Sequence, residues 1–572
     1  MTTLAWPSEA VPKSVLGALT GPGAPFELRE EDVLGAPMLV FANRPKTLTE
    51  LLRGAAERLA DRPYVVFHDR EYTFSSIIQP IAAVAAALRD HYGVGPGDRV
   101  AIVAPNTVEY ALTFWATTAL GAVTVGLNGW WTGEEIAYAV ELTEPKVLFG
   151  DRRRLARLEG IELPDGMPVV SFEDDFAALE AHAPDAPFPD VAVDEDDPFV
   201  ILFTSGTTGR PKGVMLSHRS NIHFLLASML NGAVAMMISA EQGAAVAAPA
   251  EGPVIISAAP MFHIAGLNCQ LVASTLTNMT IVYPPPGRWE EETHLRLSQQ
   301  HGATTWAMVP TQLWRILDFP DLDAYDTSSV RNVGGGSAVW PPELLRTLAE
   351  RIPSARAGTA LGYGSTETTG LGTTLRPGVK LEHADSIGTA SATMQVQVRD
   401  PETDKVLPEG EVGEICVRGG SCFIGYWRNP EATARALDDD RWYRTGDYGV
   451  IRDGYVHLEG RRQDLIIRGG ENISPIEIEN RLFEHPGIAE VAIVGVDHPK
   501  LGQEVVAFVV PHAAGFLTEA DVQRWVAQTL AGFKVPSRVE FRDELPHNAS
   551  GKVLKHVLAS PESSTGGFVE ET

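Results

Sequence analysis

Between residue 46 and about residue 380, short apolar runs alternate with stretches of helical spacing, and that alternation leaves few folds open. "RVAIVA" at Arg99 leads to "TVEYALTFWATTALGA", then "VTVGLN", "GEEIAYAVELTEP" and "KVLFG". This spacing predicts an α/β fold with parallel strands, because a crossover helix must return the chain to the same end of the sheet. Upstream, "TLTELLRGAAERLADRP" is a predicted helix with Thr47 or Thr49 as its cap. "YVVFHDREYTF" alternates as a hairpin around Asp69-Arg70, and a further helix is expected from Ser75 to His91. From about 385 to 460, short strands between turns predict a β-rich subdomain, and after Asp464 a compact α+β pattern follows. Residues 232–252 are rich in Ala and Gly and read as an irregular insertion or a frayed helix. The expected division is an irregular, proline-containing lead-in over 1–45, a large domain over 46–462, a small domain over 463–558 and a disordered polar tail over 559–572.

Charge narrows the partners. The 572 residues include 46 basic and 74 acidic side chains, a formal net charge of −28. Such a surface repels nucleic acid and anionic membranes, so an anionic ligand needs a local basic pocket. Cys269, Cys416 and Cys422 have no spacing of a disulfide framework or a zinc site and read as reduced, buried thiols. The N-terminus has Pro7 and no basic n-region, and no run of 18 uncharged apolar residues occurs. No signal peptide and no spanning helix are therefore expected, and a cytoplasmic location is the default.

Against that acidic background stands "FTSGTTGRPKGV", Phe203 to Val214, directly after the apolar run Phe199–Leu202. Gly206, Gly209 and Gly213 allow backbone N–H groups to turn inward. The hydroxyls of Thr204, Ser205, Thr207 and Thr208 can donate to phosphate oxygens, and Lys212 adds a charge. A helical segment after Ser217-His218 could present its N-terminus to an anion. The string is not a Walker A loop, because Gly213 follows the lysine, and it is not a nucleophile elbow, because no G-x-S-x-G surrounds its serines. By itself it suits a surface turn as well as a phosphate cradle.

The whole string resembles the phosphate-loop signature of the adenylate-forming superfamily, most closely its acyl-CoA synthetases. Four further motifs occur in that family's order: "YGSTE" (Tyr363–Glu367), "YRTGD" (Tyr443–Asp447), "GRRQDLIIRGGENISPIEIE" (Gly460–Glu479) and "GK" (Gly551-Lys552). The resemblance covers roughly residues 45 to 558. It implies stacked α/β sheets plus a β-rich subdomain in a large N-terminal domain, with a small mobile α+β C-terminal domain. It also implies ATP and coenzyme A as co-substrates and Mg²⁺ as cofactor. A carboxylate attacks the α-phosphate of ATP to give an acyl-adenylate and pyrophosphate, and a thiol then displaces AMP.

The resemblance assigns roles residue by residue. Lys552 bridges the substrate carboxylate and the α-phosphate, Glu367 holds Mg²⁺, and Thr366 reaches the α-phosphate. Tyr363 lies against adenine, with Gly364 and Ser365 in the same motif, and Gly334-Gly335-Gly336-Ser337 forms the adenine-side turn. Asp447 accepts the ribose hydroxyls and Arg461 holds ribose or phosphate from the hinge side. His263 stands near the carboxylate, as gate of the acyl pocket or as a satisfied half-buried histidine. The pocket is expected from His263, Gly266, Trp306, Met308 and Gly362. Three positions depart from the family pattern: Gln463 at the hinge, where Lys or Asp is usual, and His547 and Lys555 flanking Lys552. The glycine-rich, apolar pocket stretches carry no unpaired charge for an amino-acid substrate, which favours a hydrophobic fatty, aryl or polycyclic acid. The competing readings are handover to a carrier-protein thiol and, from another class, a non-catalytic nucleotide-binding protein.

Overall fold

The computed structural model describes residues 11–68, 70–204, 210–241, 252–335, 340, 342–355, 360–375, 386–461, 464–468, 471–512, 517–547 and 552–559. Gly206, Gly209, Ser205, Thr207, Thr208, Gly336, Ser337, Gln463 and the tail after residue 559 lie outside the described residues.

Two large sheets carry the body of the chain. In the first, the strands run in the order Gly425–Tyr426, Lys212–Ser217, Pro198–Thr204, Val123–Gly126, Arg99–Val103, Val147–Gly150, Val169–Ser171. The five from Pro198–Thr204 onward are parallel. In the second, Ala360–Tyr363, Asn332–Gly335, Thr305–Ala307, Val254–Ile256, Thr280–Tyr283 and Pro63–Phe67 are parallel neighbours, and the antiparallel partner Arg70–Thr73 closes the predicted hairpin.

Helices Ile78–Tyr92 and Val108–Ala119 join the sheets into one core. Val84 and Leu88 from the first helix and Phe114 and Trp115 from the second pack in a cluster with Val100 and Phe199 of one sheet and Tyr64 and Ile281 of the other. Every residue of Val108–Ala119 except Glu109 is buried. A helix packed on all sides needs apolar residues all round, which is why this segment lacks a polar face. Thr107 caps it by accepting from the Tyr110 N–H at 3.2 Å, and Thr47 rather than Thr49 caps Leu48–Leu59 by accepting from the Glu50 N–H at 3.2 Å.

Met394–Arg399, Gly413–Gly419, Tyr443–Arg452 and Tyr455–Arg461 form an antiparallel four-stranded sheet, the predicted β-rich part. The last strands, from Ile466–Arg468 to Arg538–Phe541, build a separate sheet on which helix Pro475–Phe483 packs.

Two expectations need correction, and the open choice for the Ala/Gly-rich stretch is narrowed. The lead-in is not irregular: it contains the helix Lys13–Thr20 and the hairpin Leu28–Val33/Ala36–Phe41, and Arg44 is buried against Glu31 at 2.7 Å and Glu195 at 2.9 Å. The Ala/Gly-rich stretch is helical as far as Glu241, as part of His218–Glu241. That helix is long and apolar enough over His218–Ile238 to cross a membrane, yet half of this window is buried inside the fold. Its buried face includes Asn221, His223, Ile222 and Leu230, as in a core helix. Finally, the string after residue 210 is a strand. Lys212–Ser217 pairs antiparallel with Pro198–Thr204, and the helix starts only at His218, at the strand's far end from the loop. The helix N-terminus therefore does not face the loop.

Gly213 lies in this strand, opposite Phe203, and a Cβ there would sit 2.8 Å from Cγ2 of Ile201. It serves close packing rather than an inward-turned loop. Gly213→Val is expected to destabilise the protein by about 1–3 kcal/mol through overpacking, seen as a lowered midpoint in urea unfolding; an unchanged midpoint contradicts this reading.

Candidate active site

Both sheets end at one cleft. Thr204 pairs with Lys212, so the chain between them leaves and re-enters the first sheet at a single rung. Both residues line the cleft. From the second sheet, strand Ala360–Tyr363 delivers Gly362, Tyr363 and the turn Gly364–Glu367 to the same space. A Cβ on Gly364 would lie 2.5 Å from the carbonyl carbon of Gly370, so glycine lets the outgoing and returning chain touch.

Glu367 sits on the short 3₁₀ turn Thr366–Thr368 and is 7% exposed. The Tyr426 hydroxyl donates to its Oε1 at 2.9 Å, and the Phe423 N–H donates to its carbonyl at 2.8 Å. Nζ of Lys212 lies 5.1 Å from the centre of the Tyr426 ring. Among the described residues no group of three or more His, Cys, Asp or Glu forms a closed metal site. One carboxylate beside a phosphate-loop base suits Mg²⁺, which keeps waters and takes substrate phosphates to complete its oxygen shell.

A second constellation lies at the strand pair Tyr443–Arg452 and Tyr455–Arg461. Asp447 accepts from the Tyr363 hydroxyl at 2.6 Å through Oδ2 and from Arg461 Nε at 3.1 Å through Oδ1. Its own N–H donates to Thr445 Oγ1 at 3.1 Å, which fixes the turn. Burial, then the Asp447 charge, raise the Tyr363 phenol well above its usual range, so it remains a donor.

Lys552 reaches the same cleft. It keeps an exposed surface, yet the protein packed around the ammonium lowers its pKa, with repulsion from Arg461 adding and Asp447 and Asp464 opposing. Lys552 and the Asp447–Arg461 pair thus share one electrostatic neighbourhood. His547 forms an antiparallel bridge with Val553, the residue after Lys552. His547 Nε2 meets Glu490 Oε1 at 2.6 Å and Lys555 Nζ meets Glu479 Oε1 at 2.6 Å, so both departures from the family pattern are ion-paired to the sheet and helix beneath.

His263 and Met308 also line the cleft. Burial pushes His263 down to about 4, so its imidazole is neutral at pH 7. Gly335 ends a strand with no room for a side chain: a Cβ would lie 2.0 Å from the Met308 carbonyl oxygen. Trp306 is a correction. It is fully buried, and its indole N–H donates to Ser298 Oγ at 3.0 Å on the far side of the sheet. Strand alternation gives the cleft face to its neighbour Ala307. Gly266 is likewise beneath the wall, where a Cβ would lie 2.3 Å from the Pro260 carbonyl oxygen. Gly334 accepts from the Met308 N–H at 3.0 Å as part of the sheet.

Sequence reasoning missed Tyr426 and Cys269; Ile264, Ala307 and Gly370 lie in the stretches His263–Asn268 and Trp306–Thr311 and after Glu367, where pocket walls are expected, but were not singled out. Ala307, Ile264, Cys269 and Gly370 form wall positions, and at Gly370 (φ +97°) a Cβ would lie 3.3 Å from Cys269 Sγ and 3.5 Å from Ile264 Cγ1. Nothing local marks Tyr426, whose partner Glu367 is 59 residues away.

Residues 52–427 match the AMP-binding enzyme family and residues 477–552 its C-terminal domain. Rice (Oryza sativa subsp. japonica) 4-coumarate–CoA ligase 2 is 33% identical, covering 89% of this chain and 91% of its own length. Indoleacetate–CoA ligase of Aromatoleum aromaticum is 33% identical over 86% of this chain and 93% of its own. ATP-bound MatB from Rhodopseudomonas palustris superposes with a TM-score of 0.77 at 31% identity, covering 90% of this chain and 98% of MatB.

For His547, burial pulls the pKa down, but the Glu490 hydrogen bond and charge outweigh it and the net shift is upward. A raised histidine pKa gives stability that is complete below about pH 6.5 and is lost as pH rises through the folded-state value. Glu490→Gln should therefore lower the thermal midpoint more at pH 6 than at pH 9; an equal loss at both excludes the charged pair.

Proposed function

The chain belongs to the AMP-binding enzyme family and is an AMP-forming acid–CoA ligase using ATP, Mg²⁺ and coenzyme A, and from that premise we propose that its acid is hydrophobic and ring-bearing. The reaction runs in two halves. A carboxylate oxygen forms a bond to the α-phosphorus, the α–β P–O bond breaks and pyrophosphate leaves. The thiol sulfur of coenzyme A then bonds to the acyl carbon, the acyl–phosphate C–O bond breaks with its electron pair on AMP, and the thiol proton goes to solvent.

The observation that carries the substrate class is the wall of Ile264, Cys269, Ala307, Met308, Gly362 and Gly370. These six described residues carry no charge, and neutral His263 at their edge adds none; the charged lining of the same cleft, such as Arg288, Glu291, Arg315 and Asp318, is contributed by other segments. An ammonium or second carboxylate on the acid would meet no partner there and would lose its hydration uncompensated. At Gly362 and Gly370 the wall packs directly on the backbone: a Cβ would lie 2.9 Å from Leu371 Cδ1 and 3.3 Å from Cys269 Sγ. The relatives include ligases named for coumarate and indoleacetate, both ring-bearing acids.

In this reading each polar group has a task. The hairpin based on Thr204 and Lys212 cradles the β- and γ-phosphates. Asp447 exchanges its Tyr363 and Arg461 contacts for the ribose hydroxyls, and Tyr363 lies against the adenine. Glu367 holds Mg²⁺, which neutralises charge on the phosphates when bound. Lys552 stands between the acid carboxylate and the α-phosphate, a single donor aimed at two anions.

Pyrophosphate exchange across a panel of acids tests the class. Ring-bearing hydrophobic acids such as cinnamates and arylacetates should support exchange and, with coenzyme A, yield thioesters. Preference for amino acids or short dicarboxylic acids would overturn it. Lys552→Ala should slow exchange at least about 10²-fold, while thioester formation from supplied acyl-adenylate falls less; an unchanged exchange rate removes Lys552 from the first half-reaction.

A further inference from the structure

Tyr426 belongs to none of the sequence motifs that mark the site, yet it touches two of them. Its two-residue strand, Gly425–Tyr426, pairs antiparallel with Lys212–Ser217, and Tyr426 stands opposite Val214. Side chains two apart on a strand share a face, so Lys212 lies on the face of Val214 and its cross-strand partner Tyr426. The 5.1 Å separation of the Lys212 ammonium from the tyrosine ring follows from that register.

The other end of the ring faces Glu367. The tyrosine hydroxyl is 2.9 Å from Oε1, and among the described residues it is the one side-chain donor given to that carboxylate. Tyr426 is itself 7% exposed and is braced by Phe423, whose ring centre is 5.0 Å away at 64°. The backbone of Phe423 holds the Glu367 carbonyl at 2.8 Å, so one turn of chain grips Glu367 by both its main chain and its side chain.

We propose that Tyr426 is a positioning residue for the metal carboxylate: its hydroxyl holds Oε1 of Glu367, fixes the plane of the carboxylate, and leaves Oε2 as the oxygen for Mg²⁺. Because the same ring stations Lys212, the carboxylate and the loop cation are held at a set spacing by one rigid side chain. This rests on the assignment of Glu367 to the metal. Side chains that orient a metal ligand commonly alter metal affinity by about 10- to 100-fold when removed.

Tyr426→Phe keeps the ring beneath Lys212 and deletes only the hydroxyl. The measurement is calorimetric binding of α,β-methylene-ATP to the full-length protein, once with Mn²⁺ and once in EDTA. The ratio of the two affinities is the metal's own contribution, and no turnover is involved. In Tyr426→Phe that ratio should fall about tenfold, while the affinity in EDTA stays within twofold of the wild type. A ratio unchanged from wild type overturns the proposal. A loss of equal size in both arms also overturns it, because that is the behaviour of a tyrosine that merely fills space. Glu367→Gln in parallel separates the two claims: if it too leaves the ratio unchanged, the metal assignment fails and the proposal with it. If Glu367→Gln lowers the ratio and Tyr426→Phe does not, the assignment stands and the positioning role alone falls.

Discussion

The spacing of the active site depends on two buried helices. Ile78–Tyr92 and Val108–Ala119 fill the space between the large sheets, and their side chains belong to a core that both sheets share. Close-packed interiors transmit position, because a layer of interdigitated side chains has no slack to absorb a shift. The phosphate hairpin is anchored in one sheet and the turn bearing Glu367 in the other. Their separation is thus set by the thickness of the helical layer and then trimmed by the Tyr426 contact, which spans from Lys212 to Glu367.

The last part of the chain brings Lys552 to this cleft, with His547 and Lys555 beside it. Lys552 is reached through a small sheet with its own core, and two ion pairs, His547–Glu490 and Lys555–Glu479, tie the flanks of the lysine to that sheet and its helix. A lysine on a free turn would lose rotamer and backbone entropy each time it engaged two anions. Pairing its neighbours moves part of that cost into folding. The arrangement also gives two of the three departures from the family pattern a structural setting: His547 and Lys555 each have a carboxylate within reach, Glu490 and Glu479.

Much of the fold was legible because it follows from local chemistry. The alternation of apolar runs and helical spacing located the parallel strands Arg99–Val103, Val123–Gly126 and Val147–Gly150 within a residue or two. Thr47 was one of two threonines that residue type offered as a cap, and the structure selects it. Errors arose where long-range pairing decides. "KGVMLS" looked like the approach to a helix, but two strands on either side of it make it a strand. Trp306 looked like a pocket wall, but the register of its strand turns it toward Ser298. The lead-in looked irregular, because its hairpin is short and its helix depends on packing against His218–Glu241.

The sequence by itself determined the chemistry: a hydroxyl-rich loop with a lysine, the carboxylates Glu367 and Asp447, and Lys552, since residue types and their order in short motifs are properties of the chain alone. Tertiary structure decided which groups meet. It joined Tyr363 and Arg461 on Asp447, set Tyr426 between Lys212 and Glu367, and placed Ala307 and Gly370, rather than Trp306 and Gly266, at the cleft. Those contacts link residues tens to hundreds of positions apart, and the face a strand residue presents is fixed only when its neighbours in the sheet are in place.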